Sequence, residues 1–170
     1  MKTLVAWYSN SGTTTVVAER IAALLGAELD SIEESNPRPR MVIDGGKAEA
    51  SAGAMTKAGM AAVFGISSSI VEARKDPSEY DLVVVGTPVW CGSLTPPVRA
   101  YLSKYRKALP QVAFFCTAGD PAKFRAFEQM RKIAGKAPAA TLAVKAEDVR
   151  ADACTTIVAD FVAKLKAAGR

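Results

Sequence analysis

The sequence of 170 residues contains no histidine. This absence excludes catalysis by Ser-His-Asp or Cys-His arrangements, and it removes the histidine ligands of the usual zinc sites. Cysteine is also scarce, because the chain has only Cys91, Cys116 and Cys154 and no CxxC pair. An odd number of cysteines is poor evidence for a framework of disulfides and fits a reducing compartment.

Long hydrophobic runs are also missing. The longest uncharged stretch, residues 58–71, is too short to span a bilayer and contains three serines. The first apolar run, Leu4–Trp7, is followed directly by polar residues, which argues against a secretory signal. We therefore predict a soluble, cytoplasmic protein that does not bind membranes.

Positive charge exceeds negative charge, but it is unevenly distributed. The formal net charge of the chain is +5. Residues 97–137 have a net charge of +7, whereas residues 1–34 have a net charge of −3. The basic region favours acidic partners or anionic substrates, or it forms the solvated faces of two helices. Basic residues interleaved with exposed aromatics are absent, so no nucleic-acid binding is predicted.

Apolar runs alternate with segments of helical periodicity, which is typical of an α/β protein, here a single domain over residues 1–170. The apolar runs predict five strands: Thr3–Trp7, Glu28–Ile32, Leu82–Gly86, Gln111–Cys116 and Ala140–Val144. The periodic segments predict four helices: Thr13–Leu25, Pro97–Lys107, Ala122–Ala134 and Ala151–Ala168. Residues 34–80 are ambiguous, although Ala48–Phe64 can form a helix.

This order of elements predicts a doubly wound parallel sheet with helices on both faces. The five-stranded version, with strand order 2-1-3-4-5, binds ligands beyond the carboxyl ends of the strands, at the switch point between strands 1 and 3. Functional residues are therefore expected in three loops, which follow Trp7, Gly86 and Cys116.

The first of these loops is rich in hydroxyl groups and lies between a strand and the start of a helix. Such a loop can direct backbone N–H groups and the helix dipole at one anion. No Lys or Arg occurs from Tyr8 to Thr15, which argues against a Walker P-loop, and the GxGxxG pattern is absent. The alternative is a helix N-cap with additional polar residues.

The second and third loops suggest a site for a flat ring. Trp90 directly follows a buried strand, where it covers a planar ligand or packs under its own loop. Cys91 has neither a histidine nor a nearby cation to activate its thiol, so a nucleophilic role is not expected. Asp120 precedes Pro121, and its side chain fits a helix cap.

Three segments, WYSNSGTTT, DLVVVGTPVWCGSLTPPVRAYL and VAFFCTAGD, together resemble the flavodoxin family over nearly the whole chain. The resemblance implies the flavodoxin-like fold and an FMN cofactor. The residues implied to contact the FMN phosphate are Ser9, Asn10, Ser11, Gly12, Thr13 and Thr14. One side of the flavin ring would be lined by Thr87, Pro88, Val89, Trp90, Cys91 and Gly92, and the other by Thr117, Ala118, Gly119 and Asp120.

Two other classes with this topology do not fit the sequence. A response-regulator receiver needs acidic residues after strands 1 and 3, and a low-molecular-weight tyrosine phosphatase needs a cysteine in the first loop. Two flavoprotein functions remain open. One is electron transfer through FMN to a redox partner protein. The other is NAD(P)H-dependent reduction of quinones or similar small-molecule acceptors, which the absence of a stacking tyrosine in the third loop favours.

Overall fold

The computed structural model describes residues 1–39, 42–44, 47–49, 60–120 and 125–169. Within these ranges the structure has eight strands: β1 (Thr3–Trp7), β2 (Glu28–Ser31), β3 (Val42–Asp44), β4 (Lys47–Glu49), β5 (Leu82–Trp90), β6 (Ser93–Leu94), β7 (Gln111–Ala118) and β8 (Thr141–Lys145). Five of them form a parallel sheet in the order β2-β1-β5-β7-β8. Counted along the chain, this is the predicted order 2-1-3-4-5, which confirms the fold.

Among the described residues, the helices with both ends described are α1 (Thr13–Leu25), α2 (Pro96–Lys104), α3 (Ala126–Ala134), α4 (Ala146–Arg150) and α5 (Thr155–Ala168). Successive residues of a strand point to opposite faces of a sheet. Val5 of β1 accordingly packs in a core with α1 and α5, whereas Leu4 packs in a second core with α2 and α3. The helices therefore cover both faces, as predicted.

The predicted bounds of strands and helices agree best with the structure where a recognisable residue, such as a glycine, marks the end of the element. Strand β1 and helix α1 have the predicted bounds, and Gly26 ends α1 in the left-handed conformation. The predicted last helix from Ala151 is wrong at its start, since α4 precedes it and α5 begins only at Thr155. Asp152 adopts a positive φ of 57°, which separates the two helices.

The predicted helix Ala48–Phe64 is also wrong at its start. Residues 47–49 form strand β4, which pairs antiparallel with β3. Residues 60–63 are helical, and residues 50–59 of the predicted helix lie outside the described residues. Three residues per strand are too few to produce the period-2 apolar pattern from which strands are predicted.

Candidate functional site

The first loop lies between β1 and α1, at the carboxyl edge of the sheet. Gly12 is the N-cap of α1 and adopts the left-handed conformation, with φ 92°. No side chain caps the helix start, and its first turn contains no acidic residue. Since the first N–H groups of a helix have no partner within the helix, these groups are available to an anion.

Hydroxyl groups of the loop supplement these backbone donors. Ser9 Oγ accepts a hydrogen bond of 3.0 Å from the N–H of Gly12, which fixes the turn. Ser11 Oγ and Thr13 Oγ1 lie 3.2 Å apart, and both side chains are half-buried. The loop therefore combines partly accessible hydroxyls with an uncapped helix terminus, a donor set that fits a phosphate group.

Thr14 differs from its neighbours in the loop because its side chain is buried. Its Oγ1 lies 2.8 Å from Oγ1 of Thr117, which is also buried and lies near the end of β7. The two hydroxyls share a hydrogen bond that ties the first loop to the third. The predicted contact of Thr14 with phosphate stays a prediction, and its hydroxyl has this additional role in joining the loops.

The segment after Gly86 is not a loop throughout but continues as a β-hairpin. Strand β5 extends to Trp90, the chain turns at Cys91 and Gly92, and β6 returns antiparallel with the pair Trp90↔Ser93. Cys91 has φ 49° and Gly92 has φ 73°. Positive φ at both central residues is the pattern of a type I′ turn, which matches the twist of the two strands.

Hydrogen bonds to other parts of the chain hold the hairpin in place. The N–H of Leu94 donates to Oε1 of Gln129 at 2.8 Å, and the N–H of Arg125 donates to the carbonyl of Gly92 at 2.8 Å. Below the hairpin, the buried Thr87 hydroxyl lies 3.0 Å from the Thr95 hydroxyl. The position of the hairpin is therefore set by α3 and by the sheet.

Trp90 is half-buried and packs against side chains from two other segments. The ring of Tyr8 meets it edge-on, with centroids 5.9 Å apart and an interplanar angle of 80°. The guanidinium of Arg38 lies over the Trp90 ring, 5.3 Å from the ring centroid. Both contacts are attractive, through the ring quadrupoles and through a cation–π interaction.

Glu34 joins these two neighbours of Trp90. It is buried, accepts a hydrogen bond of 3.0 Å from the Tyr8 hydroxyl, and forms an ion pair of 3.2 Å with Arg38. Burial, with the nearby Glu34 carboxylate, raises the pKa of Tyr8 to about 12. We call Tyr8, Glu34, Arg38 and Trp90 the Trp90 cluster. Sequence reasoning did not identify Glu34 or Arg38 as site residues. The only local signal was the position of Arg38 between two prolines.

A cavity of about 410 Å³ lies between the first loop and the segment after β2. Its lining residues are Tyr8, Ser9, Asn10, Gly12, Thr15, Ile32, Glu33, Glu34, Pro37 and Arg38. This volume is in the range of small-molecule sites. The cavity therefore places Arg38 beside the predicted phosphate loop.

The third predicted segment begins inside β7. Thr117 and Ala118 are buried in this strand, whereas Gly119 and Asp120 follow it and are exposed. Because β5 lies between β1 and β7, all three predicted segments meet at one edge of the sheet. Of the predicted residues, those from Thr87 to Trp90 lie within β5, and Thr117 and Ala118 lie within β7. The buried Thr87, Thr117 and Ala118 form the floor of this region.

Comparison with known proteins identifies the family. A family model described as flavodoxin matches residues 2–163. The chain belongs to the flavodoxin family. This is a family of FMN-binding flavoproteins, and the match supports FMN as the cofactor. No curated protein matches this chain significantly.

Solved structures with the same fold span several groups of organisms. A flavoprotein from Lactobacillus acidophilus NCFM, in complex with FMN, has a TM-score of 0.66 and 24% identity, with 89% of this chain and 96% of that chain covered. A WrbA-like flavodoxin from Agrobacterium tumefaciens has a TM-score of 0.56 and 14% identity, covering 98% and 96%. An archaeal flavodoxin has a TM-score of 0.51 and 18% identity, covering 98% and 99%.

Two features are absent from the described residues of this flavodoxin-family chain. Among the described residues, no group of three or more His, Cys, Asp or Glu side chains could hold a metal ion. In the same part of the chain, no helix is long and apolar enough to cross a bilayer.

Proposed function

We propose that this chain binds FMN at the carboxyl edge of its sheet and acts as a redox protein that transfers electrons through the flavin. The observation that carries the proposal is the uncapped start of α1, which lies at the same edge as the hairpin of Trp90. Bound FMN would supply reversible one- or two-electron chemistry. The chain would bind it, orient it and control access to it.

The phosphate end of the proposed site depends on the first loop. The N–H groups of the first turn of α1 and the hydroxyls of Ser11 and Thr13 are the proposed donors. Gly12 allows a close approach of the backbone because it lacks a Cβ atom. The helix dipole adds a favourable interaction with negative charge at this end of α1.

The ring end of the proposed site depends on the hairpin and on the segment after β7. Trp90 offers a large aromatic surface whose position is fixed by Tyr8 and Arg38. Stacking on such a surface contributes both apolar burial and a ring–ring interaction. The segment after β7 offers backbone groups at Gly119 and Asp120 on the other side.

The identity of the cofactor can be tested directly. We expect the freshly purified protein to show the absorption bands of oxidised flavin. Heat release followed by chromatography should then give FMN. Predominant FAD would contradict the proposal, because the first loop has no dinucleotide fingerprint. Riboflavin binding as tight as FMN binding would show that the loop is not a phosphate site.

The role of the loop hydroxyls can be tested at Thr13. Replacing Thr13 by Val should weaken FMN binding by about ten- to a hundredfold, because one hydrogen bond to a charged group is lost. Thr13→Ser keeps the hydroxyl and should bind FMN as the parent does. Neither change should alter riboflavin affinity. Equal FMN affinities of Thr13→Val and Thr13→Ser would contradict a phosphate contact of this hydroxyl.

A second candidate function is an NAD(P)H-dependent reductase of quinones or similar acceptors. Gly119 is exposed, and a Cβ atom placed on it would have no neighbour within 4 Å among the described residues. Residues 117–120 also contain no aromatic residue. Both observations favour an accessible ring face, which hydride transfer from a nicotinamide requires.

Anaerobic titration with NADPH and with NADH separates the two functions. An electron carrier should remain oxidised on the time scale of minutes and should be reduced by dithionite. A reductase should be bleached stoichiometrically by one of the nicotinamides and should reoxidise on addition of a quinone. Rapid bleaching by NADPH would therefore replace the carrier proposal by the reductase proposal.

A further inference from the structure

A second cavity, of about 550 Å³, lies in the groove between α2 and α3. Its lining residues are Arg99, Ser103, Arg106, Gln129, Lys132 and Ile133, and we call it the basic groove. Arg99 and Ser103 are spaced i and i+4 on α2, and Arg106 lies in the turn that follows α2. Gln129, Lys132 and Ile133 are spaced i, i+3 and i+4 and follow one face of α3. None of these residues lines the cavity beside the first loop.

The charge of the basic groove is unbalanced. Arg99, Arg106 and Lys132 contribute three positive charges, and the described residues that line the groove include no carboxylate. Within the described part of the chain, none of the three forms a salt bridge. Three cations around one cavity repel each other unless an anion lies between them.

Arg99 is the most informative of the three cations, because its side chain is half-buried. Its Nε and Nη2 atoms are buried and have no hydrogen-bond partner among the described residues. This burial lowers the pKa of the Arg99 guanidinium, although an arginine stays protonated at neutral pH. A buried charge without a partner is costly, and an anionic ligand would remove that cost.

The neutral side chains of the groove add further donors. Gln129 Oε1 accepts the hydrogen bond from the Leu94 N–H, so its amide NH₂ group is the part left for other contacts. Ser103 is exposed and offers a hydroxyl group. The groove therefore presents donors from five side chains, and Ile133 alone contributes only an apolar surface.

We propose that the basic groove binds a small molecule that carries a phosphoryl or diphosphate group. Such groups have two to three negative charges at neutral pH, which match the three cations better than a single carboxylate does. Arginine binds phosphate oxygens through two parallel N–H donors, which adds geometric specificity. The cavity has the volume of a small-molecule site.

Inorganic pyrophosphate is a suitable probe, and the side-chain Nε–H signals of arginine report its binding by NMR. The titration uses the purified protein loaded with FMN and freed of unbound cofactor, so that the phosphate donors of the first loop are occupied and no free FMN competes for the groove. We expect a saturable shift of the Arg99 signal, which is assigned by its loss in Arg99→Lys. Because this readout is local to the groove, it also holds if the first loop does not bind FMN.

Substitutions in the groove should weaken pyrophosphate binding. Arg106→Gln and Lys132→Gln should each raise the dissociation constant about tenfold, since each removes a charged donor. Lys107→Gln is the matched control, because Lys107 follows Arg106 directly and has the same charge but does not line the groove. Its dissociation constant should stay within about twofold of the parental value.

Three outcomes would overturn the proposal. The first is the absence of a saturable shift of the Arg99 signal. The second is an equal loss of affinity in Lys107→Gln, which would indicate diffuse attraction by the basic surface. The third is tighter binding of citrate than of pyrophosphate, which would assign the groove to polycarboxylates.

Discussion

The first loop and the hairpin lie at the same edge of the sheet but are held in different ways. In the first loop, no side chain caps the N-terminus of α1, and the Gly12 N–H donates a hydrogen bond to Ser9 Oγ within the loop itself. In the hairpin, the strands pair with each other, and residues of α3 and the segment before it bond Leu94 and Gly92. One region leaves donors available to a ligand, whereas the other is fixed by the protein itself.

The difference fits the two tasks that we propose. A phosphate group is recognised by N–H and hydroxyl donors, which therefore have to be left without protein acceptors. A flat ring is recognised mainly by shape and apolar contact, which requires a surface that is already rigid. The predictions below test whether substitutions in the first loop weaken FMN binding more than substitutions in the hairpin that cost a similar amount of stability.

The largest difference is expected between two glycine substitutions. Gly12 and Gly92 both have positive φ, so alanine at either position strains the backbone by about 1–2 kcal/mol. Both variants should therefore lose similar stability as apoproteins. Gly12→Ala should also bind FMN at least tenfold more weakly, because the loop donors move, whereas Gly92→Ala should stay within about threefold.

Thermal unfolding of the apoproteins measures their stability, and titration with FMN, followed by flavin fluorescence, measures the affinity. Gly65→Ala is a control for the strain, because Gly65 also has a positive φ, of 70°, but lies outside both regions. If Gly92→Ala lost as much FMN affinity as Gly12→Ala, the distinction between the two regions would be refuted.

The next largest effect is expected in the Trp90 cluster. Glu34→Gln removes the charge that pairs with Arg38 and should lower the free energy of unfolding by about 1–2 kcal/mol, because Glu34 is buried. The adjacent Glu33 forms an exposed ion pair with Arg74. Glu33→Gln should therefore change stability by less than about 0.5 kcal/mol. Urea unfolding of both variants makes the comparison, and equal losses would show that burial of Glu34 is unimportant.

Much of the fold could be predicted from the sequence, including the meeting of the three segments at one edge of the sheet. The bounds of β1 and α1 were predicted correctly because a short apolar run and Gly26 mark them. The strand order and the family were confirmed as well. The roles of the predicted FMN-contacting residues and the choice between carrier and reductase stay predictions.

The hairpin and the Trp90 cluster could not be predicted, for two reasons. Pro88 within β5 is typical of a loop, and the turn has Cys91 where an Asn or Asp would normally mark a type I′ hairpin. Arg38 lies over Trp90 across more than 50 residues of sequence, and Glu34 joins Arg38 to Tyr8. Such contacts follow from the packing of the whole chain and leave no local pattern.

A smaller effect is expected for the bond that joins the first and third segments. Thr14→Val and Thr117→Val each leave one buried hydroxyl without its partner, and each should cost about 1–2 kcal/mol of stability. The double variant should cost less than the sum, with a coupling of about 1 kcal/mol. Urea unfolding of the parent, the two single variants and the double variant measures this double-mutant cycle. Additive losses would mean that the two hydroxyls do not act as a pair.

The smallest effect should be a gain in stability at Cys91, within the hairpin. Its φ of 49° is unfavourable for most L-residues but is tolerated by asparagine, which is preferred with glycine in type I′ turns. Cys91→Asn should therefore stabilise the apoprotein by about 0.5–1 kcal/mol, equivalent to about 2 °C in Tm.

Cys91→Ala removes the thiol but keeps the unfavourable φ, so it should give no gain. If alanine stabilised the protein as much as asparagine, the gain would come from the loss of the exposed thiol. The hairpin would then lack the backbone strain that we infer from Cys91, and its rigidity would have to depend on the contacts with α3 and the Trp90 cluster.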